Sequence, residues 1–87
     1  MSAGTPTLSG ELTLPKMADW LPQVDRLAAA GSLDLSGITR ADSAGLALLL
    51  ELRRHARARD TALSFTGAPP QLRELTDFFG LTSALAL

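Results

Sequence analysis

A carboxylate and a hydroxyl stand side by side at the start of a leucine-rich run, and they are the residues best placed for chemistry. Asp42 and Ser43 precede the run, and Gly45 follows them. The first backbone N–H groups of a helix have no partner within the helix, so Asp42 is predicted to be an N-cap that accepts from them. Ser43 then takes the first helical position, near the positive end of the helix dipole. Its hydroxyl is a candidate partner contact or phosphorylation site, and the simpler interpretation is a capping pair only.

Asp34 is the second candidate carboxylate. It lies between Leu33 and Leu35 in a short apolar strand, on the side opposite to them. One interpretation makes it a catalytic or ligand-binding group, and the other makes it an acceptor that orders the loop after the strand. Its only acid–base companion along the sequence is Asp42, which favours the loop-ordering role.

Composition excludes several classes of function. The 87 residues predict one domain, with residues 1–6 as a loose N-terminal arm. The net charge of −1 gives no general attraction to nucleic acid or membrane, and there is no cysteine for a disulfide, a thiol nucleophile or a thiolate zinc site. A single histidine, His55, excludes a multi-histidine metal site. We therefore predict no cofactor.

The same sequence contains no phosphate-binding glycine motif and no nucleophile elbow, so we predict that the chain is not an enzyme. No signal peptide is recognisable at the N-terminus. The unbroken apolar run after Gly45 ends at Leu50, far short of the roughly 20 residues that a spanning helix needs. We expect a cytoplasmic protein without direct membrane insertion. A hydrophobic fraction of 46% and a mean hydropathy of +0.17 indicate either dense packing or an apolar surface kept for a partner.

Hydrophobic periodicity predicts alternating strands and helices. The strands are predicted at 7–14, 32–38 and 61–66, and the helices at 16–30, 42–59 and 71–79, where Pro70 can open the last helix at its first position. Pro22 is expected to kink the first helix or to start its regular part. The alternation predicts an α/β fold with one mixed sheet flanked by helices.

The core of the second strand is Leu33–Leu35, and the polar loop after it is predicted to hold Ser36, Gly37, Thr39 and Arg40. Leu63 and Phe65 alternate in the last strand. Trp20 and Leu21 are predicted on the apolar face of the first helix, Trp20 as a core or rim anchor rather than an aromatic contact for a ligand. Phe78 and Phe79 are predicted on the apolar side of the last helix, and the apolar tail 81–87 along the sheet edge.

The predicted helix after Asp42 has two distinct faces. The inner face is predicted to carry five small or leucine residues, Gly45, Leu48, Leu49, Leu52 and Ala56. The opposite side carries Ser43, Ala47, Leu50 and Arg54, where an ordinary surface helix would be polar throughout. This composition favours a docking surface, although a single exposed leucine is common and the basic helix end is also typical of a solvated terminus. His55 is predicted to be a surface residue.

The motif around this helix resembles the signature of STAS domains. In that family a strand ending in Asp, here Asp34, leads through a loop to Asp-Ser/Thr-x-Gly-Leu, here Asp42-Ser43-Ala44-Gly45-Leu46. The resemblance implies a mixed sheet of four to five strands flanked by helices. The short N-terminal section implies an abbreviated first hairpin and an exposed sheet edge. The run from Gly45 to Leu50 is similar in particular to the small STAS subunits of Mla-type phospholipid-transport ABC complexes.

That similarity implies a non-catalytic subunit that binds and supports the ATPase of an ABC transporter for phospholipid trafficking and outer-membrane lipid asymmetry. It would be peripheral to the inner membrane through this complex. The residues expected to bind the partner are Asp42, Ser43, Ala44, Ala47, Leu50 and Arg54.

The alternative is a signalling switch. STAS proteins of the anti-anti-sigma type are phosphorylated by an anti-sigma kinase on the serine that matches Ser43. A phosphate at a helix N-terminus is favourable on dipole grounds, yet beside Asp42 it would add a charge of about −1.5 to −2 to an interface. The two functions share one fold and one surface.

Overall fold

The computed structural model describes residues 5–87, so the first four residues of the predicted N-terminal arm lie outside the described part. Three parallel strands form the sheet in the order β1-β2-β3. They are β1 (Thr7–Leu12), β2 (Ser32–Ala41) and β3 (Ser64–Thr66). Buried and exposed side chains alternate along β1 and β3, as is typical of a sheet with one covered face. In β2 the alternation shifts after Leu35 and again after Ile38, where the pairing with β1 is irregular.

Residues 5–87 also form five helical segments: α1 (Met17–Trp20), α2 (Val24–Ala28), α3 (Ser43–Ala58), α4 (Pro70–Phe78) and α5 (Thr82–Leu85). Short 3-10 turns, Leu14–Lys16 and Leu21–Gln23, precede α1 and α2. Within residues 5–87, no helix has the length and apolar character needed to cross a membrane.

The predicted mixed sheet of four to five strands is corrected to three strands, all parallel, among the described residues. The predicted abbreviated hairpin is also absent there, because the chain passes through Gly10 as one strand. Gly10 adopts a φ of +99°, next to an irregularity in the pairing of β1 with β2. At the end of β2, the backbone of Ala41 is hydrogen-bonded by a side chain, that of Gln71, where a further strand would otherwise pair. The amide of Gln71 donates to the carbonyl oxygen of Ala41 at 3.0 Å and accepts from its N–H at 2.9 Å.

The central strand continues beyond its predicted end. Ser36, Thr39 and Arg40, predicted as a loop, belong to β2, because pairing with β1 continues to Ala41 opposite Leu12. These three polar side chains are exposed. Their polarity therefore marks the uncovered face of a strand.

The first helix is broken where Pro22 interrupts it. Proline has no N–H to donate, and the chain forms the turn Leu21–Gln23 in place of a continuous helix over 16–30. Trp20 is the predicted anchor: it is 8% exposed, and its indole N–H donates to the carbonyl of Glu11 at 2.8 Å. Leu21 was predicted on the apolar face and is instead 58% exposed.

In the C-terminal part, the start of the helix agrees with the prediction, whereas the exposure of two phenylalanines differs from it. α4 begins at Pro70, as predicted, with Leu72 fully buried. Phe78 and Phe79 were predicted on the apolar side, and they are instead 82% and 49% exposed, Phe78 as the last residue of α4 and Phe79 just beyond it. The apolar tail forms α5, which contacts α3 and α4. Ala86, just after α5, lines one cleft with Leu63 and Ser64 at the start of β3.

The last strand is shorter than predicted. Among the described residues, only Ser64–Thr66 pairs with β2 in this strand. Thr61 instead donates both its N–H and its hydroxyl to the carbonyl of Ala56 near the end of α3. Leu63 and Phe65 are nevertheless buried, as their alternation predicted.

Candidate functional site

Asp42 is the N-cap of α3, as predicted. One carboxylate oxygen accepts from the N–H of Gly45 at 3.2 Å, and the other accepts from the N–H of Leu14 at 3.0 Å. The hydrogen bond from Leu14, followed by that from Gly45, holds the pKa of Asp42 below its ordinary value of 3.8 despite desolvation. Asp42 thus joins the start of α3 to the segment that leaves β1.

Gly45 lets α3 approach the sheet closely. A Cβ at this position would overlap the carbonyl oxygen of Leu12 and lie 2.8 Å from the Leu12 Cβ. The backbone of the first helical turn therefore rests against the end of β1. This contact and the Asp42 cap together fix where Ser43 meets the surface.

The five residues predicted for the inner face of α3 are all buried. On the outer side, Ser43, Ala47 and Arg54 are exposed, whereas Ala44 and Leu50 are half-buried. Leu50 packs against the edge of the core, so less of its side chain is exposed than predicted. We use the name docking surface for Ser43, Ala47, Leu50 and Arg54.

Leu14 was missed as a surface residue. It was predicted in register with Leu8 and Leu12 inside a strand, but β1 ends at Leu12 and Leu14 is 69% exposed. Its N–H is bonded to Asp42, which places it beside the N-terminus of α3. Pro15, directly after it, is the sequence signal for the end of the strand. Leu14 adds apolar area next to the docking surface.

Glu51 is a second residue of this region that the sequence analysis did not identify. Both of its carboxylate oxygens accept from the guanidinium of Arg54, at 2.9 and 2.6 Å. This pair holds the pKa of Glu51 at about 2 and raises the pKa of Arg54 above its ordinary value. A bidentate pair restricts the orientation of the Arg54 side chain at the end of the docking surface.

His55 was predicted as a surface residue, and its side chain is 30% exposed. It bridges two helices: Nε2 is 2.9 Å from Glu51, and Nδ1 is 3.3 Å from Asp25 of α2. His55 therefore connects α3 to α2. It lies beside Arg54 and Glu51 without belonging to the docking surface.

Asp34 holds the backbone that follows it, as the favoured interpretation predicted. That backbone belongs to β2 rather than to a loop. Asp34 accepts from the N–H of Ser36 at 2.9 Å and from the hydroxyl of Thr7 at 3.4 Å. The hydrogen bond from Ser36 is the main cause of its lowered pKa. Asp34 and Asp42 lie toward opposite ends of β2, on the order of 20–25 Å apart along an extended chain. They therefore do not form an acid–base pair.

Residues 5–87 contain no group of three or more histidine, aspartate and glutamate side chains arranged to hold a metal ion. The site is instead a rigid surface, positioned by the cap, the close approach at Gly45 and the Glu51–Arg54 pair. Such a surface is suited to contact with another macromolecule.

Comparison with known proteins places the chain in a family. A family model described as "Mlab, STAS domain" matches residues 2–86. No curated protein matches the chain. Domains of this family generally have non-catalytic regulatory or accessory roles. Because the match covers nearly the whole sequence, the chain belongs to the STAS domain family.

Proposed function

We propose that this chain is a non-catalytic STAS subunit that binds and supports the ATPase of an ABC transporter for phospholipid trafficking. The observation that carries the proposal is the exposed row of small residues on α3, bordered by leucines. The description "Mlab" of the matching family supports the Mla-type resemblance of the run from Gly45 to Leu50. In this role the protein is cytoplasmic and peripheral to the inner membrane through its complex.

The docking surface has the composition of an interface core with a charged rim. Ser43 and Ala47 are one turn apart and exposed, so a partner can approach the α3 backbone closely. Leu14 and the exposed part of Leu50 supply apolar area beside them. Arg54, held by Glu51, supplies charge at the rim, where polar groups predominate in protein interfaces.

The test is direct binding of the purified chain to the purified ATPase subunit of such a transporter from the same organism. Ala47→Arg inserts a long charged side chain into the centre of the docking surface, and arginine retains helix propensity. We expect a loss of affinity of about 100-fold or more, with an unchanged melting curve.

The matched control is Ala30→Arg, which places the same side chain at an exposed alanine outside the docking surface. It should bind the ATPase like the wild type. Equal binding by wild type and Ala47→Arg would contradict the proposed surface, and no binding by the wild type would contradict the proposed partner.

A second candidate function is an anti-anti-sigma-type regulator that is switched by phosphorylation. The observation in its favour is that Ser43 is exposed at the first position of a 16-residue helix. A kinase can reach such a hydroxyl, and the phosphate would lie at the positive end of the dipole. Recovery of protein phosphorylated on Ser43 from native cells would favour this function over the transporter role.

A further inference from the structure

A cleft at the C-terminal end of α3 is lined by two arginines whose charges are unpaired. The cleft has a volume of about 310 Å³, and its walls are formed by Arg53, Arg57, Thr61, Ala62, Leu63, Ser64 and Ala86. Within residues 5–87, Arg54 and Arg59 form ion pairs with carboxylates, but Arg53 and Arg57 form none. The two guanidinium groups of the cleft are therefore available to a ligand.

These arginines are not needed to complete the end of the helix. The carbonyl of Ala56 already accepts from the N–H of Arg59 and from both donors of Thr61, and the carbonyl of Arg57 accepts from the N–H of Asp60. The carbonyl groups of Ala56 and Arg57 thus have donors from the following residues. Satisfaction of the helix terminus does not account for the two cationic side chains in the cleft.

The cleft is continuous with the docking surface. Arg53 and Arg57 follow Leu50 by three and seven residues, spacings that place all three along one side of a helix. A partner that covers Leu50 therefore reaches the cleft with its next side chains. Arginine pairs favour planar oxyanions because the guanidinium presents parallel N–H donors.

We propose that the Arg53–Arg57 cleft receives a carboxylate side chain of the same protein partner that covers the docking surface. This inference rests on the proposed function. A protein carboxylate fits better than a membrane surface because the two arginines line a recess of about 310 Å³, and the net charge of −1 gives no general attraction to an anionic membrane. A single carboxylate side chain can enter this recess between two arginines that are one helical turn apart, whereas a layer of headgroups would remain outside it.

The first test uses a blocked glutamate peptide as the probe and the blocked glutamine peptide as its uncharged match. The readout is the NMR signal of each arginine Nε–H at constant ionic strength. We expect saturable shifts for Arg53 and Arg57 with the glutamate peptide alone, and none for the exposed Arg26 on α2. R53Q should weaken this binding by roughly tenfold, whereas R26Q should not change it. Equal shifts at Arg26, or shifts without saturation, would overturn the proposal. A stronger response to phosphatidylglycerol vesicles than to the peptide would also overturn it.

The second test separates this inference from the proposed function by measuring affinity for the ATPase. The double variant R53Q/R57Q should bind roughly tenfold more weakly than the wild type, and its affinity should depend less on salt. If A47R abolishes binding while R53Q/R57Q binds like the wild type, the cleft proposal fails and the docking surface stands. If A47R has no effect, the docking surface fails, and the cleft loses the partner on which it depends.

Discussion

The inner and outer faces of α3 both carry a small residue near the N-terminus, but the surroundings of the two residues differ. On the inner face, any side chain at Gly45 would collide with Leu12 of β1, so the fold itself requires the glycine. On the outer face, Ala47 is exposed, and no such contact restricts its size. The small residue inside is thus explained by this chain alone. The small residue outside, beside Ser43 and the exposed Leu14, has no such explanation within the described residues, and the proposed function assigns it to a partner that approaches closely.

The largest effect is expected on the inner face. Leu49 is fully buried, so Leu49→Ala should lower the free energy of unfolding by roughly 2–5 kcal/mol through lost burial and the resulting cavity. Leu50→Ala is the matched control, because Leu50 is the adjacent leucine and is only half-buried. Urea unfolding followed by Trp20 fluorescence measures both. Equal losses for the two variants would show that the two faces of α3 do not differ as described.

The second prediction concerns glycine and alanine, whose usual order of stability in a helix should be reversed at Gly45. In most helix interiors alanine is more stable than glycine by up to about 1 kcal/mol, so Ala47→Gly should cost about that amount. Gly45→Ala should also destabilise, by about 1–3 kcal/mol, because the added Cβ overlaps the Leu12 backbone. Thermal and urea unfolding of both variants check this. An increase in stability for Gly45→Ala would mean that α3 does not rest against β1.

The sequence was sufficient for local features and insufficient for the context of the sheet. The cap at Asp42, the bounds of α3 and its buried face follow from hydrogen-bond donors and from the 3.6-residue period, which are local properties. The number and direction of strands are non-local, and Ser36 and Arg40 resembled a loop because an exposed strand face is as polar as a loop. These residues are part of β2 because the pairing with β1 continues to Ala41.

The surface was only partly predictable for the same reason. Ser43, Ala47 and Arg54 were found from the helix period, which separates one face from another. Leu14 depended on where β1 ends, and the length of a short strand is set by its neighbours. Phe78 and Phe79 followed an apolar helical pattern, but they stand at the end of α4, where both are exposed.

The third prediction concerns the cap that positions the outer face. The pKa of Asp42 is lowered in the folded protein, chiefly by the hydrogen bond from Leu14, so the ionised carboxylate stabilises the fold. That contribution is complete well above the ordinary pKa of 3.8, and it is lost as the pH falls through the lower folded pKa. The melting temperature of wild type should therefore exceed that of Asp42→Ala at pH 7. The difference should shrink below pH 3.8. A difference that stays constant down to pH 2 would contradict this account of the cap.

The smallest effects are expected for the conservative variants of Ser43, and the response of this residue distinguishes the two proposed functions. In the transporter role the hydroxyl is a small hydrogen-bonding contact, so Ser43→Thr should bind the ATPase normally. Ser43→Ala should lose about 0.5–1.5 kcal/mol of binding free energy, the contribution of one hydrogen bond. Ser43→Glu should bind far more weakly, because it places a charge and a longer side chain at a close contact beside Asp42. Calorimetric titration against the ATPase measures all three.

In the switch role the same Ser43 variants should have different effects on binding, because the addition and removal of a phosphate control the complex. Ser43→Ala would then keep the protein permanently in its partner-bound state, and Ser43→Glu would imitate the released state. The phosphate would sit on an exposed hydroxyl at the start of α3, so intact mass spectrometry of protein from its native host can detect it directly. We expect unmodified protein under every growth condition. A stoichiometric phosphate on Ser43 in any of them would overturn the transporter role in favour of the switch, because a constitutive contact has no use for a charge of about −1.5 to −2 next to Asp42.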